Sequence, residues 1–561
     1  MNSKQQVEPV ETKPKFILPP RPNTALPQPP LEWRPSQPHT LASRVSFTEF
    51  VPDAVSPLFA TLAVPLATQA TSKMMAEVMG SRAAAGYYFE VINSYVYSCL
   101  DTRQTLQLGV GGVFATPKIF RYGKAHRDEA QANSRTAVDR WRQANLPGLP
   151  AVELLSGVRE LFSVAAEYFA MAQCGPIPRS TWSEILFSRF YNVLVKRKSD
   201  PAAPTFLLGL ENLPLQAEKS LFDLAQWAQA QVHLADYLRQ TPVQVVWDAL
   251  HADPVPAPLS GEFAARFDAH LSAFGHVVYD LDFTKSVPAD DPLPVLEALK
   301  AYLAGQGHNP HIRIQAQVEQ RRQAEQAITM RLDPLRRKWF QKLLKSAQAC
   351  APDRENAIAE IGLPYPQLRR LLRELGLRLT AGGAISRPED IYWLEAKEVY
   401  ALATALDKNE PLCSQAARVE TRKTSWQRAC EATPPTVVPE NTWVSKLMAP
   451  KKTETNTLKG YGASEGAVTA PACVLRGPQD FDQMRPGAVL VAVTTTPAWT
   501  PLFAMASAVV TDIGGPLSHS SIVAREYGIP AVMATGVATR RIHTGQMITV
   551  DGSAGTVTLK V

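Results

Sequence analysis

The hydrophobic period of this 561-residue chain changes once, near residue 456, and that change sets what the chain can fold into. From about residue 45 to 405, apolar residues recur at spacings of three and four among strong helix formers, as in Ala151–Ala172, Leu215–Arg239 and Val318–Ala349. Past residue 456 the pattern becomes short β-branched runs bounded by Gly, Pro or Asp: Val489–Val493, Ala508–Thr511, Ala531–Met533, Met547–Val550 and Thr556–Leu559. The expected fold is multidomain: a large, mainly α-helical domain over residues 45–405, then a small α/β domain over residues 456–561. Prolines at Pro176–Pro178, Pro254–Pro258, Pro288–Pro294 and Pro364–Pro366 are expected to end or offset helices. Residues 406–455, polar and basic with Pro434, Pro435 and Pro439, read as a linker. Residues 1–44 are crowded with proline and read as a flexible, extended tail, either without a role or serving as a docking arm.

A chain of this length exceeds what one hydrophobic core serves. Its 45% hydrophobic and 20% charged residues suit a soluble globular protein, and a net charge of +6 without a Lys/Arg tract argues against nucleic acid as a partner. The six cysteines lie far apart with no CxxC pair, so neither a zinc site nor any other metal site is expected of them. No basic-then-apolar leader precedes the chain, and no apolar run reaches the roughly 20 residues that span a bilayer. A cytoplasmic location without membrane contact is the expectation.

One constellation in the last domain carries chemistry. Ala508–Asp512 reads as a buried strand, Gly514-Gly515 as a turn free to take positive φ, and Ser518 as the N-cap of a helix that ends at Gly528, ahead of Pro530. His519 falls in the first turn, where unpaired backbone N–H groups and the helix dipole favour an anion. Imidazole is a good nucleophile near neutral pH, and phosphoimidazole is a good phosphoryl donor. Arg525, one or two turns on, is placed to pair with phosphoryl oxygens. Spacing alone does not decide the role, and on spacing a capping or packed histidine is the commoner reading. Gly109-Val-Gly-Gly112 has no GK[ST] after it and reads as a turn rather than a phosphate loop.

The run Gly514-Gly-Pro-Leu-Ser-His-Ser-Ser-Ile-Val-Ala-Arg-Glu-Tyr-Gly-Ile-Pro-Ala-Val532 resembles the phosphohistidine signature of the PEP-utilising enzymes, a family that includes PEP synthase, pyruvate phosphate dikinase and rifampicin phosphotransferase. The resemblance continues through Gly462-Ala-Ser-Glu-Gly466, Thr494-Thr-Thr-Pro-Ala-Trp-Thr-Pro501 and Ile548-Thr-Val-Asp-Gly552. It implies a swivelling domain in which His519 is the phosphoacceptor, with Thr494, Gly514, Gly515, Ser518 and Arg525 around it. Leu517 stands where plant pyruvate phosphate dikinases carry a regulatory threonine, so that form of control is not expected.

The helical part resembles the acceptor-binding region of rifampicin phosphotransferase, from Phe47-Thr-Glu-Phe-Val-Pro-Asp-Ala-Val-Ser-Pro-Leu58 through Phe274-Gly-His-Val-Val-Tyr-Asp-Leu-Asp282, Asp291-Pro292, Arg354-Glu355-Asn356 and Pro388-Glu-Asp-Ile-Tyr-Trp-Leu394. This implies an acceptor pocket in which Arg354 neutralises the incoming phosphoryl group and His276 or Glu355 takes the hydroxyl proton. Without the resemblance, His276 reads as a buried histidine bonded to backbone, and Arg354-Glu355 as a helix-surface ion pair. Tyr87-Tyr88-Phe89, Tyr95 and Tyr97 offer ring surface, to an aromatic acceptor or to the core.

Residues 1–44 leave no room for the ATP-grasp module of the full-length enzymes, and the sequence stops where the histidine domain stops, short of a pyruvate-binding barrel. The resemblance then implies a divided enzyme such as phenylphosphate synthase, in which a separate ATP-grasp subunit binds ATP and Mg2+ and phosphorylates the histidine. The acceptor on that reading is a small organic hydroxyl compound, phenol-like by analogy. The alternatives are a component of an antibiotic (rifampicin-like) phosphotransferase and a non-catalytic phosphohistidine scaffold. A phosphate-release assay tests the division: the purified chain alone is expected to leave ATP intact, and an ATP-grasp partner to restore turnover.

Overall fold

In the computed structural model, residues 31–45, 47–79, 86–103, 105–252, 259, 261–307, 309–440, 456–516 and 518–560 are described, and the chain from Trp33 onward forms one compact unit. The helical part begins with α1 (Val64–Met79), α2 (Thr105–Gln143) and α3 (Ala151–Cys174). Helix α3 is the axis of this part, because Leu154, Leu155, Val158, Leu161, Phe162, Ala165 and Ala166 bury a wide apolar stripe at helical spacing. The run Gly109–Gly112, expected as a turn, lies inside α2, so helix propagation overrides the glycines there.

Helix α4 (Pro176–Phe190) starts at one of the proline breaks. The apolar pattern over 215–239 resolves into α5 (Leu213–Gln229) and a second helix, Val232–Gln240. The pattern over 318–349 likewise belongs to two helices, α6 (Pro310–Arg331) and α7 (Pro334–Glu360). Asp333 separates them: its carboxylate accepts from Leu335 N–H at 3.1 Å and Arg336 N–H at 3.0 Å, with Pro334 in the first helical position. Pro352 departs from the rule, since it lies within α7, two residues before Arg354. Helix α8 (Tyr365–Ala381) follows the Pro364 break and packs on α3; the Pro254–Pro258 break lies outside the described residues.

Two boundaries expected from composition move. Residues 40–43 are not tail but strand β1 (Thr40–Ser43), in a sheet of order β2-β3-β1-β4 with β2 (Tyr87–Ile92), β3 (Tyr95–Asp101) and β4 (Val437–Val438). The stretch expected as a linker holds α9 (Ala416–Glu431) and β4. Val419, Trp426 and Ala429 seat α9 on the body, and the Trp426 indole donates to Ala54 O at 2.8 Å. A polar average had concealed one apolar helix face. Residues 441–455 of that expected linker lie outside the described residues.

The carboxy-terminal α/β domain is one sheet of order β5-β12-β11-β7-β8-β9-β10-β6. Its strands are β5 (Thr457–Lys459), β6 (Tyr461–Ser464), β7 (Ala467–Val474), β8 (Val489–Ala492), β9 (Ala508–Thr511), β10 (Ala531–Met533), β11 (Met547–Asp551) and β12 (Thr556–Leu559). Strands β7 to β10 run parallel, with Val491 opposite Val510 and Val510 opposite Val532. Alternate residues feed two cores, Leu490 and Val509 on one face, Val489 and Val510 on the other, as a parallel sheet covered on both sides requires. Helix α10 (His519–Tyr527) packs through Val523 and Ala524 on the first face.

Gly157 of α3 leaves no room for a side chain: a Cβ there would lie 2.5 Å from Leu371 Cδ2 and from the Trp141 ring. Gly157→Val should therefore overpack the junction of α2, α3 and α8 and destabilise the protein by about 1–3 kcal/mol, read by chemical denaturation of the whole chain.

Candidate functional site

The turn between β9 and α10 is built as its residues dictate. Gly514 sits at φ +141, and a Cβ there would press on Ser518 Oγ at 3.0 Å, whereas Gly515 faces open space. Ser518 occupies the N-cap position, but its hydroxyl does not cap the helix; it donates to Gly515 O at 3.0 Å and meets Ser521 Oγ at 3.2 Å. The serine thus ties the turn to itself. At the other end Gly528 takes a left-handed conformation (φ +66) and closes the helix on Ala524 and Arg525 carbonyls.

His519 is 1% exposed, pressed between this domain and the helical body. Its Nδ1 lies 2.9 Å from Glu355 Oε2, and Glu355, itself 2% exposed, accepts from Arg354 Nη1 at 2.5 Å. Arg354 Nη2 reaches Glu49 Oε1 at 3.4 Å, and the same oxygen accepts from the backbone N–H of His519 at 3.4 Å. Burial pushes the Glu355 carboxyl upward, but the hydrogen bond from His519 and the charge of Arg354 outweigh it and hold the group below the ordinary glutamate range. Glu355 is therefore a carboxylate, and His519 Nδ1 carries the proton it accepts. The other ring nitrogen, Nε2, lies 3.5 Å from Thr500 Oγ1. For Arg354, the Glu49 and Glu355 charges overcome burial and raise the guanidinium pKa, so it stays cationic; its Nε has no hydrogen-bond partner among the described residues.

The other expected site residues take different places. Arg525 is partly buried, its pKa lowered by burial, and donates to Pro516 O at 2.9 Å, within electrostatic reach of Arg354 and Glu184. Thr494 is buried with its hydroxyl unpartnered among the described residues, while Thr495 pairs with Ser520 Oγ at 2.8 Å. His276 does not touch His519. Burial pulls its pKa down to about 4, so it is neutral at pH 7, and its Nε2 finds no partner among the described residues; the backbone bond considered from sequence is not made there. Of the rings at 87–97, Tyr95 and Tyr97 serve the framework, donating to Ala429 O and Pro435 O under the Arg44 guanidinium. Glu49, Glu184 and Thr500 were not singled out from sequence. Glu49 and Thr500 lie inside stretches quoted for the resemblance, whereas nothing marks Glu184 among the many charges of the helices. Among the described residues no group of three or more His, Cys, Asp and Glu side chains is placed to hold a metal ion, and no helix is long and apolar enough to cross a membrane.

The rest of the contact between domain and body is mostly polar. Thr496 donates to Val278 O at 2.9 Å, Gln317 donates to Glu526 O, and the Tyr527 hydroxyl donates to Glu218 at 2.6 Å. Glu218 is also held by Arg313, whose guanidinium lies 3.8 Å over the Tyr527 ring. Tyr279 of the body enters the domain core edge-on to Phe481.

Residues 484–555 match the mobile domain of PEP-utilising enzymes, and residues 177–355 match the fourth domain of rifampicin phosphotransferase. A chondramide synthase of Chondromyces crocatus is 29% identical over 401 residues, 67% of this chain and 10% of that protein. A rifampicin phosphotransferase of Streptomyces sviceus is 26% identical over 366 residues, 63% of this chain and 41% of that one. A phosphoenolpyruvate synthase of Aeropyrum pernix is 38% identical over 212 residues, 36% of this chain and 23% of that one. The chain thus spans well under half the length of these curated relatives. Among solved structures, one of Enzyme I aligns over 40% of this chain and 65% of that one, at 16% identity and a TM-score of 0.14, a value at which no shared fold is established.

Docking of the domain should depend on pH through Glu526. Burial, with Glu355 and Glu218 nearby, pushes its carboxyl up to about 8 against the pull of Arg313 and Arg525. A released, solvated glutamate titrates near ~4.3, so the docked form holds a proton that the released form has lost between those values. Docking is then strongest at and below the lower value and weakens as pH rises toward 8. Small-angle scattering should show the chain expanding between about pH 5 and pH 8, and Glu526→Gln should remove most of that dependence.

Proposed function

We propose, on the match of residues 484–555 to the mobile domain of PEP-utilising enzymes and of residues 177–355 to the fourth domain of rifampicin phosphotransferase, that this chain is the histidine-bearing component of a dikinase-type phosphotransferase. At a separate ATP-grasp module, which supplies the nucleotide and Mg2+ sites, His519 Nε2 takes the β-phosphoryl of ATP, while the γ-phosphoryl passes to water and leaves as phosphate and the remainder leaves as AMP. The domain then docks on the helical body and hands the group to an organic hydroxyl, in the cytoplasm. A phenol-like acceptor follows from the likeness to phenylphosphate synthase.

The observation that supports this most is the buried line Arg354–Glu355–His519 across the two domains. Glu355 holds the Nδ1 proton and fixes the ring, which leaves Nε2 as the nitrogen to carry the phosphoryl group, the role a carboxylate plays behind a catalytic histidine. Arg354 supplies positive charge where phosphoryl oxygens arrive. In the second half-reaction the Nε2–P bond breaks as the O–P bond to the acceptor forms, and the hydroxyl proton passes to a base. His276, neutral at pH 7 with its Nε2 unpartnered among the described residues, and Glu355 are the two candidates for that base.

Labelling with β-labelled ATP and an ATP-grasp partner tests the assignment. Wild-type chain should gain acid-labile, base-stable label; His519→Ala should gain none, and Ser518→Ala should keep it. Glu355→Gln should still label but transfer on the order of 10²-fold more slowly, as a displaced imidazole would. Label that survives acid, or persists in His519→Ala, moves the phosphoacceptor off the histidine.

A further inference from the structure

The helical body carries an arm with a core of its own, in which Phe187 and Tyr191 pack on Phe340, and Val195 and Leu332 join them. Two segments meet at the end of this arm: Tyr191–Val195, which prolongs α4, and the α6–α7 junction at Asp333. Arg331 ties them together, donating to Val195 O at 3.0 Å and to Asp200 Oδ1 at 2.7 Å. What these segments turn outward is apolar. Val193 is 72% exposed, Met330 76% and Leu335 67%, and Leu194 and Trp339 are exposed beside them. Large apolar side chains exposed singly are ordinary, whereas five at one end of an arm leave a patch in water.

The same end concentrates the charge of the chain. Residues 191–200 and 330–345 hold nine basic and two acidic residues, a net +7 where the whole chain has +6. Both acids are engaged locally, Asp200 with Arg331, and Asp333 with the first N–H groups of α7 and with Arg336 at 3.5 Å. Lys196, Arg197, Lys198, Arg336, Lys338 and Lys342 are all exposed, and the Lys342 ammonium lies 5.2 Å from the centre of the Trp339 ring. Trp339 stands one helical turn, about 6 Å, behind Leu335 along α7. Apolar side chains at the end, a cationic collar and an indole thus follow one another along the arm.

We propose that this arm end is a peripheral binding site for an anionic lipid bilayer. Side chains that enter the boundary of headgroups and acyl chains by about 5–10 Å leave water, while Lys and Arg around them meet lipid phosphates and an indole one turn behind sits at headgroup level. The lysines favour a bilayer over a protein partner. Lysine is depleted from protein interfaces, where its ammonium would lose water, whereas at a bilayer its stem lies along apolar surface and its charge stays hydrated. Nucleic acid is a poorer fit, because Val193, Leu194, Met330 and Leu335 offer nothing to a phosphate backbone. A surface contact needs no spanning helix, and none is present among the described residues. Arg354 lies fifteen residues beyond Trp339, roughly 22 Å along α7, so the contact leaves the His519 seam clear.

Co-sedimentation of the whole chain tests the site with phosphatidylcholine vesicles, with the same vesicles containing phosphatidylglycerol, and without vesicles. The chain is expected to bind the anionic vesicles at least roughly tenfold more tightly than the neutral ones, and to stay in solution without vesicles. Val193→Ser combined with Leu335→Ser, both at exposed positions where the melt should not change, is expected to weaken that binding by roughly tenfold, and Arg197→Glu combined with Lys338→Glu by at least as much. Should one of these variants lose its cooperative melt, the other decides. Equal binding to both kinds of vesicle, or unchanged binding in either folded variant, overturns the proposal. So does a chain that ignores anionic vesicles, which leaves the arm end to an acidic protein face, and a chain that sediments alone, which means that the arm ends pair with one another.

Discussion

A carboxylate buried at the seam of two domains is the constraint from which the rest follows. Glu355 is out of water, and an unpaired charge in that position would be strongly destabilising. Arg354 answers it from the same helix, and His519 answers it from the other domain. Only with the histidine domain seated are both carboxylate oxygens satisfied in the way described. Docking and the orientation of the imidazole are thereby one event: the contact that completes the hydrogen bonding of Glu355 also holds His519 by its Nδ1.

The contacts around that seam suit a domain that can leave. Apart from Tyr279, which inserts a ring, the domain is held by a threonine hydroxyl, a glutamine amide, and a tyrosine shared between Glu218 and Arg313. Such groups recover hydrogen bonds from water on release, whereas a broad apolar face would not. Glu526 adds a graded element, since its burial is tolerated only with a proton bound.

The helical body has its own division of labour. Helix α7 presents Arg354 and Glu355 to the histidine, and the chain leaving it presents Ile361 to the hydrophobic core of the body, while the turn at 47–51 sends Glu49 to Arg354 and Phe47 and Val51 into that core. The charged seam and the apolar core are thus joined by adjacent residues on shared backbone, which keeps their separation fixed by helix and turn geometry rather than by a flexible loop.

The sequence by itself determined the two-part architecture, because hydrophobic period reports local structure: strands β8 to β12 of the α/β domain, though not β5 to β7, the strand–glycine–histidine–helix order, and the Gly528 stop are all properties of a few neighbouring residues. It also marked His519, Arg354 and Glu355, though on family likeness rather than on spacing. It misplaced the boundaries at 40–43 and 416–438, where composition averages away one apolar face, and it read single helices where Asp333 and the 230–231 break make two. What only the tertiary structure decided is which of those residues meet. Arg354 and Glu355 are 164 to 165 positions from His519, Glu49 is 470 away, and no local rule couples such distances; the pairing exists because two domains bury the same carboxylate between them. The same holds for His276 and the rings at 87–97, whose residue types were legible but whose partners, or lack of them, were set by what packed around each.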